Sequence, residues 1–152
     1  MEGRERPGGG QVMRVVWCVS RLVFGALFVY AGVEKMVDAS GFAAVIFNYQ
    51  LLPAQMVYGA ALILPAVEIV CGLALCANAV ARGASVVLNL LMAVFIGAMI
   101  WAMARGLDVT CGCFGGAGQA VSSQTLVRDA VLLAVGLVAM WGAFAKAGKD
   151  EV

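Results

Sequence analysis

The hydrophobic pattern of the chain predicts four membrane-spanning helices. Apolar residues fill four long runs, at about 15–33, 56–80, 84–104 and 125–146. A helix needs about 20 predominantly apolar residues to cross the roughly 30 Å hydrocarbon core of a bilayer. The first run is longer than the apolar region of a cleavable signal peptide, so we interpret it as an uncleaved span. The predicted fold class is an all-α membrane protein, a four-transmembrane-helix bundle.

A different pattern lies between the first and second runs. In "GFAAVIFNYQLLP", Phe42, Val45, Ile46 and Tyr49 have the i, i+3, i+4, i+7 spacing of one helical face. This spacing predicts a short amphipathic helix on the outer membrane surface, ending near Pro53. Two roles remain open for it. It could cover the outer mouth of the bundle, or it could be an interfacial anchor with no part in function.

The opening "MEGRERPGGGQ" is polar and rich in glycine. Such a composition cannot form an apolar core, so residues 1–12 are expected to be a disordered cytoplasmic tail. The remainder, residues 13–148, is expected to form one four-helix transmembrane domain. No second domain is indicated.

Composition supports a membrane protein and excludes several chemistries. Hydrophobic residues make up 63% of the chain and charged residues only 12%, far from the balance of a soluble domain. The chain has no histidine, which excludes imidazole acid–base catalysis and the common histidine-containing zinc sites. The net charge is +1, and no basic patch indicates nucleic-acid binding.

Basic residues near the span ends predict the orientation. One side of a four-span chain carries the termini and the 80–83 turn, with six basic residues: Arg4, Arg6, Arg14, Arg82, Lys146 and Lys149. The opposite side carries three: Lys35, Arg105 and Arg128. Lys and Arg are enriched on the cytoplasmic side, so the termini are expected to be cytoplasmic. The chain is thus predicted to be a multi-pass protein of the bacterial cytoplasmic membrane, with segments 34–55 and 105–124 outside.

Charged and amide side chains inside the spans are candidates for function, because they are costly in hydrocarbon. Glu68 lies mid-span and Arg21 lies near the cytoplasmic end of the first span. Counting the helical rise from the predicted span ends predicts an intrabundle Arg21–Glu68 pair, with Asn89 at a similar depth. Alternatively, these residues only hold the helices together.

Three further charged residues lie near the outer ends of the spans. The N-terminal dipole of the fourth helix favours a negative charge and so explains Asp129 without a function. Ser122 or Ser123 could cap that helix. In a functional alternative, Lys35 or Arg128 stabilises a thiolate in the 105–124 loop.

That loop contains the most reactive sequence in the chain, "LDVTCGCFGGAG". A disulfide between Cys111 and Cys113 would close a small strained ring, and strained exposed disulfides exchange readily. The same two thiolates could instead hold Cu(I) or Hg(II), or serve only a structural purpose. A zinc site is disfavoured because two ligands are too few. Cys18, Cys71 and Cys76 lie in the spans, where cysteine usually acts as a small hydrophobe.

Four strings, "AGVEKMVDASGFAAVIFNYQLLP", "LPAVEIVCGLAL", "RGLDVTCGCFGG" and "LVRD", resemble the MauE proteins of the wider DoxX-like group. The resemblance implies a four-helix membrane protein linked with a periplasmic thioredoxin-like partner and with maturation of a disulfide-rich dehydrogenase. It also implies that Cys111 and Cys113 are the thiol pair. The other positions matching the family pattern are Glu34, Lys35, Asp38, Asn48, Tyr49, Pro53, Glu68, Arg105, Asp108, Arg128 and Asp129.

The expected function is therefore thiol–disulfide exchange on the outer membrane face, in support of exported disulfide-containing proteins. A quinone in the outer bundle is one candidate electron acceptor, by analogy with other four-helix thiol oxidases. A relay through Cys71, or through the level of Cys18 and Cys76, is another. Two other classes stay open: a soft-metal transporter or chaperone, and a non-catalytic assembly factor.

Overall fold

A computed structural model describes residues 9–107 and 123–150, and this part of the chain is entirely helical apart from short turns. Helices α1, α3, α4 and α5 are each long and apolar enough to cross a membrane, and α2 is a shorter apolar helix. The predicted fold class is confirmed. The helices are α1 (Gly9–Val37), α2 (Ala39–Asn48), α3 (Ala54–Cys76), α4 (Ala81–Ala104) and α5 (Ser123–Asp150).

The four long helices form a bundle in which α1 packs against α3 and α5, and α4 packs against the same two helices. The C-terminal ends of α1 and α4 lie beside the N-terminal ends of α3 and α5. Tyr49, which follows α2, packs there with Met99 of α4 and Leu126 of α5. We call this the α2 end. At the opposite end, the turn between α3 and α4 lies beside α1. Many side chains that point away from the bundle are large and apolar, as expected for a surface in contact with lipid.

The closest helix contact is between α1 and α3, and glycine makes it possible. A Cβ atom added at Gly72 would lie 2.7 Å from the carbonyl oxygen of Gly25 and 2.8 Å from Cγ2 of Val29. A Cβ atom at Gly32 would lie 2.9 Å from the carbonyl oxygen of Pro65. The backbones therefore touch, and these two contacts fix the antiparallel register of α1 and α3.

Helix α2 follows α1 almost without a break and folds back onto the bundle. The Asp38 side chain caps it by accepting a hydrogen bond of 2.9 Å from the Gly41 amide. Phe42 and Ala43 are buried with Val57 and Ala61 of α3, while Phe47 is exposed. A short helix is confirmed here, with its apolar face turned inward, but it ends at Asn48 and not near Pro53.

Helix α5 completes the bundle through Gly136. An added Cβ atom there would lie 2.6 Å from Oδ1 of Asn89 on α4 and within 2.8 Å of the Phe24 ring on α1. Phe24 in turn packs edge-on against Phe28, with ring centroids 5.0 Å apart. These aromatic rings lie in the main core with Leu75, Leu88 and Met92.

The α1–α3 contact leads to a test with a matched control on the same helix. Gly72→Ala is expected to destabilise the bundle by about 1–3 kcal/mol, because the added methyl group meets backbone. Gly59→Ala adds the same group where nothing lies within 4 Å, and it should be neutral or stabilising by up to about 1 kcal/mol. Thermal unfolding in detergent measures both. Equal melting temperatures for the two variants would show that α1 and α3 are not in this register.

Candidate functional site: a buried ion pair beneath helix α2

The most unusual feature of the bundle is an ion pair between Lys35 of α1 and Glu68 of α3. Lys35 Nζ lies 2.7 and 2.8 Å from the two carboxylate oxygens of Glu68. The two side chains are only 4% and 0% exposed. The ammonium group therefore donates to both carboxylate oxygens in a setting that excludes solvent.

The helix directions explain how these two residues meet. Side chains on a helix lean toward its N-terminus. Lys35, near the C-terminal end of α1, therefore leans into the bundle, and Glu68 on antiparallel α3 leans toward the α2 end. The contact of Gly32 with Pro65 places Glu68 about 9 Å deeper than Lys35, nearly two turns, and the two side chains reach toward each other across this distance.

Aromatic rings enclose the ammonium group on its remaining sides. The Phe95 ring centroid on α4 lies 4.8 Å from Lys35 Nζ, and the Phe42 centroid on α2 lies 5.3 Å away. Both distances allow cation–π attraction. Of the two roles left open for α2, its position over the ion pair favours that of a cover.

A cavity extends from the ion pair along the inner face of α1. The enclosed volume is about 20 Å³, room for about one water molecule, and the cavity is partly open to the outside. All four long helices contribute to its lining. The charged groups in this lining are Lys35 and Glu68, and the apolar walls include Phe24, Phe28, Met92, Phe95 and Leu132.

The predicted Arg21–Glu68 pair is wrong. Arg21 Nη1 instead donates to Oδ1 of Asn78, in the turn between α3 and α4. The register explains the error: Arg21 lies one turn from Gly25 toward the opposite end, and Glu68 lies one turn from Gly72 toward the α2 end. The two residues are thus about 12 Å apart along the bundle axis. Counting from the ends of apolar runs could not reveal this, because those ends do not coincide with the helix ends.

A second buried carboxylate, Asp129 of α5, lies at a similar depth. Gly136 contacts Phe24, so two turns toward the α2 end bring Asp129 to the level of Ala31. Asp129 is fully buried, its Oδ1 accepts a hydrogen bond of 3.0 Å from Arg128 Nε, and its Oδ2 has no hydrogen-bond partner among the described residues.

The helix dipole does not account for Asp129. Helix α5 begins at Ser123, and its first turn contains no acidic residue. Asp129 lies beyond that turn, where the dipole effect has largely decayed. The helix dipole therefore contributes little at Asp129.

The cysteine loop is only partly defined. Cys111, Cys113 and the family position Asp108 lie outside the described residues. The flanking helices begin and end at the α2 end, so Leu107 and Ser123 both lie on that side of the bundle. Of the two cations considered for a thiolate, Lys35 is buried against Glu68, and Arg128 is paired with Asp129 and partly exposed.

The three span cysteines are free thiols. Cys18 is exposed on α1, and Cys71 packs against the main core. Cys76 lies at the α1–α3 contact, with its Sγ 3.8 Å from the Leu22 carbonyl oxygen. Within residues 9–107 and 123–150, no three Cys, Asp or Glu side chains form a group that could hold a metal ion.

Asn89 acts as a link between helices. Its Nδ2 donates to the carbonyl oxygens of Ser85, at 2.8 Å, and Gly136, at 3.1 Å, joining α4 to α5. For Asn89, the alternative that these polar residues hold the helices together is therefore supported.

Sequence reasoning missed the partner of Glu68, although one signal was present. Phe24, Phe28, Ala31 and Lys35 follow a single helical stripe, and all four are buried. A lysine on the buried face of a membrane helix requires a carboxylate partner.

The ion pair can be tested with a double-mutant cycle. Lys35→Met and Glu68→Gln should each destabilise the bundle by about 3–5 kcal/mol, because each leaves a buried charge unpaired. The double variant should lose less stability than the sum of the two single losses, by a coupling energy of about 2 kcal/mol. Unfolding in mixed micelles measures all four proteins.

Glu34→Gln, which alters only an exposed hydrogen bond to Tyr30 on the same helix, is the control and should change stability by less than about 0.5 kcal/mol. Additive effects of the two substitutions would contradict the pairing.

Comparison with known proteins places this bundle in a family. A sequence model described as methylamine utilisation protein MauE matches residues 13–142. The chain is also 33% identical over 130 residues to methylamine utilization protein MauE of Paracoccus denitrificans, covering 84% of this chain and 69% of that protein. No solved structure shows significant similarity. The match runs from α1 into α5 and includes the Lys35–Glu68 pair and Asp129, so the chain belongs to the MauE family of membrane proteins.

Proposed function

We propose that the protein is a membrane thiol–disulfide exchange protein that works through Cys111 and Cys113. The observation that carries the proposal is the Cys-Gly-Cys sequence in a segment whose two flanking helices meet at the α2 end. A disulfide between residues so close in sequence is strained, and Gly112 leaves both sulfurs open to attack. A reversible exchange site needs both properties.

The exchange takes two steps. The thiolate of one loop cysteine attacks the disulfide of a partner protein, forming a mixed disulfide and releasing one partner thiolate. The second loop cysteine then attacks the mixed disulfide and releases the partner as a dithiol, while Cys111 and Cys113 become joined. Two electrons move from the loop to the partner, and the reverse sequence oxidises the partner.

The partner that fits this chemistry is a thioredoxin-like protein on the outer side of the membrane. The resemblance to MauE proteins supports a role in preparing exported disulfide-containing proteins. The relative from Paracoccus denitrificans carries a name that refers to methylamine utilisation, and a dehydrogenase of that metabolism is the corresponding client.

The orientation required by this proposal gains support from the positions of two basic residues. Arg21 donates a hydrogen bond to Asn78 at the end opposite α2, so it adds one basic residue to the side that carries the termini. Lys35 is buried against Glu68, so it is no longer counted among the basic residues of the α2 side. The bias becomes seven to two, which favours cytoplasmic termini and an outer loop.

Trapping of a mixed disulfide tests the exchange reaction. In a Cys18→Ala/Cys71→Ala/Cys76→Ala background, adding Cys113→Ser or Cys111→Ser should leave a partner attached through one loop sulfur. We expect a reductant-sensitive adduct in at least one of the two variants, detected by gel shift after alkylation of whole cells and identified by mass spectrometry.

The triple-alanine background itself is the matched control. It should retain the full exchange activity of the unmodified protein, because the three span cysteines take no part. If the loop pair is never oxidised and neither serine variant yields an adduct, the exchange function is wrong.

The proposed orientation can be checked in the same background. A thiol reagent that cannot cross membranes should label reduced Cys111 and Cys113 in intact cells or spheroplasts. A single cysteine introduced at Ala77, in the turn at the opposite end, should be labelled only after lysis. The reverse labelling pattern would place the loop in the cytoplasm and remove the oxidising compartment that the proposal requires.

A further inference from the structure

We propose that the ammonium group of Lys35 has two alternative carboxylate partners, Glu68 of α3 and Asp129 of α5, and that its transfer from Glu68 to Asp129 releases helix α2. The structure shows the first arrangement. The second is inferred from an unpaired oxygen of Asp129, from the register of α1 and α5, and from the space beside the ion pair. Neither the cysteine loop nor the exchange reaction takes part in this transfer.

Asp129 carries a buried oxygen that lacks a hydrogen-bond donor. Its side chain is 0% exposed, and its Oδ1 accepts from Arg128 Nε, whereas its Oδ2 has no partner among the described residues. A buried carboxylate oxygen without a donor is costly, so folded proteins nearly always supply one. An ammonium group that reached Oδ2 would provide a charge-assisted hydrogen bond.

The contacts between α1 and α5 place Asp129 beside the Lys35 side chain. Phe24 of α1 meets Gly136 of α5, and the two helices run in opposite directions. Seven residues further along each helix, on the same two faces, Ala31 therefore stands opposite Asp129. Lys35 follows Ala31 by one turn on the buried stripe of α1 and leans back toward it. The ammonium group thus lies near the level of Asp129.

The enclosed cavity offers room for the movement. Its volume of about 20 Å³ accommodates one water molecule, and an ammonium group is of similar size. Lys35 and Glu68 line one part of this cavity. Leu132 of α5, one turn from Asp129, lines another part. The space thus extends from the present partner of Lys35 toward the helix that carries the second.

The charges around Lys35 determine when the transfer is favourable. Two cations and two carboxylates meet here, and they are paired as Lys35 with Glu68 and Arg128 with Asp129. Helices α2 and α4 face the ammonium group with aromatic rings. If Lys35 moves to Asp129, Glu68 is left as a buried unpaired charge, which is very costly. The transfer therefore requires a neutral Glu68, as after uptake of one proton from water, and Glu68→Gln reproduces that neutral form.

The transfer affects α2 because Lys35 helps to hold this helix on the bundle. The Phe42 ring of α2 lies 5.3 Å from Lys35 Nζ, within the range of cation–π attraction. Besides Phe42, Ala43 is the one fully buried residue of α2. An ammonium group drawn toward the level of Ala31 leaves the Phe42 ring, so α2 loses one of its few inward contacts. The hold on this cover thus depends on the charge of Glu68.

A double-mutant cycle tests whether the two carboxylates can replace each other. Glu68→Gln and Asp129→Asn each keep the shape of the side chain and remove its charge. The double variant should lose more stability than the two single losses together, by about tenfold in the unfolding equilibrium constant, because Lys35 then has no partner left. Glu68→Gln alone should cost less stability than Lys35→Met, because Asp129 takes over the lysine. Unfolding in mixed micelles measures all variants.

Two control cycles accompany this test. In a Lys35→Met background, the effects of Glu68→Gln and Asp129→Asn should be additive, because the shared cation is gone. Glu34→Gln removes an outer carboxylate of α1 and should be additive with Glu68→Gln. Additive losses of Glu68→Gln and Asp129→Asn in the presence of Lys35 would overturn the second partner.

Nitrogen NMR of the lysine side chains observes the transfer directly. The chain has three lysines, so Lys146→Arg/Lys149→Arg leaves Lys35 as a single ¹⁵N-labelled signal in nanodiscs. Glu68→Gln should move this signal, and adding Asp129→Asn should move it again. Asp129→Asn alone should leave it at the position of the parent. A signal in Glu68→Gln that does not respond to Asp129→Asn would contradict the transfer.

Hydrogen exchange of the α2 amides measures the release of the cover. Glu68→Gln should raise the exchange rates of residues 43–48 about threefold or more, because the cation–π contact with Phe42 is lost. Asp129→Asn and Glu34→Gln should leave these rates unchanged. If α2 exchanges equally in Glu68→Gln and in the parent, the transfer does not release α2 and the proposal is wrong.

Discussion

The need to satisfy a charged side chain inside a membrane governs the α2 end of this protein. Lys35 and Glu68 would each be very costly in hydrocarbon alone, so α1 and α3 must be held in the register that brings them together. The glycine contacts between Gly25 and Gly72 provide that register. Helix α2 and Phe95 then close the space around the ammonium group. The ion pair, the glycine contact and the cover are thus parts of one arrangement.

Such a pair contributes more to specificity than to stability. Replacing a buried pair by well-packed apolar residues is often neutral or even stabilising, whereas removing one partner is costly. A bundle that needed only to fold would do so with a leucine at both positions. Keeping both charges therefore fixes which faces of α1 and α3 meet, and does not add stability.

The fold could be predicted from the sequence, but the contacts inside the bundle could not. Long apolar runs define the four spans, and the spacing from Phe42 to Tyr49 defines α2, because both patterns depend only on local periodicity. The partner of Glu68 depends on the axial offset between two helices. That offset is set by the close approach of Gly25 and Gly72, which no local pattern reports. The burial of Asp129 likewise depends on which helices face α5, which no local pattern reports.

The candidate reactive residues show the opposite case. Cys111 and Cys113 are conspicuous in the sequence, since two cysteines around a glycine are a local motif. The described bundle adds what the motif lacks, namely the helix ends that flank it and the charged cavity on the same side.

The burial of Lys35 also has a consequence for how the chain is made. Lys35 and Glu68 are 33 residues apart, and α1 leaves the ribosome before α3 has been synthesised. Until α3 enters the membrane, the lysine at the end of α1 can extend its ammonium group to the lipid headgroups and remain hydrated. Only the arrival of Glu68 makes the inward position favourable. The order of synthesis thus lets the lysine stay hydrated at the headgroups until its carboxylate partner arrives.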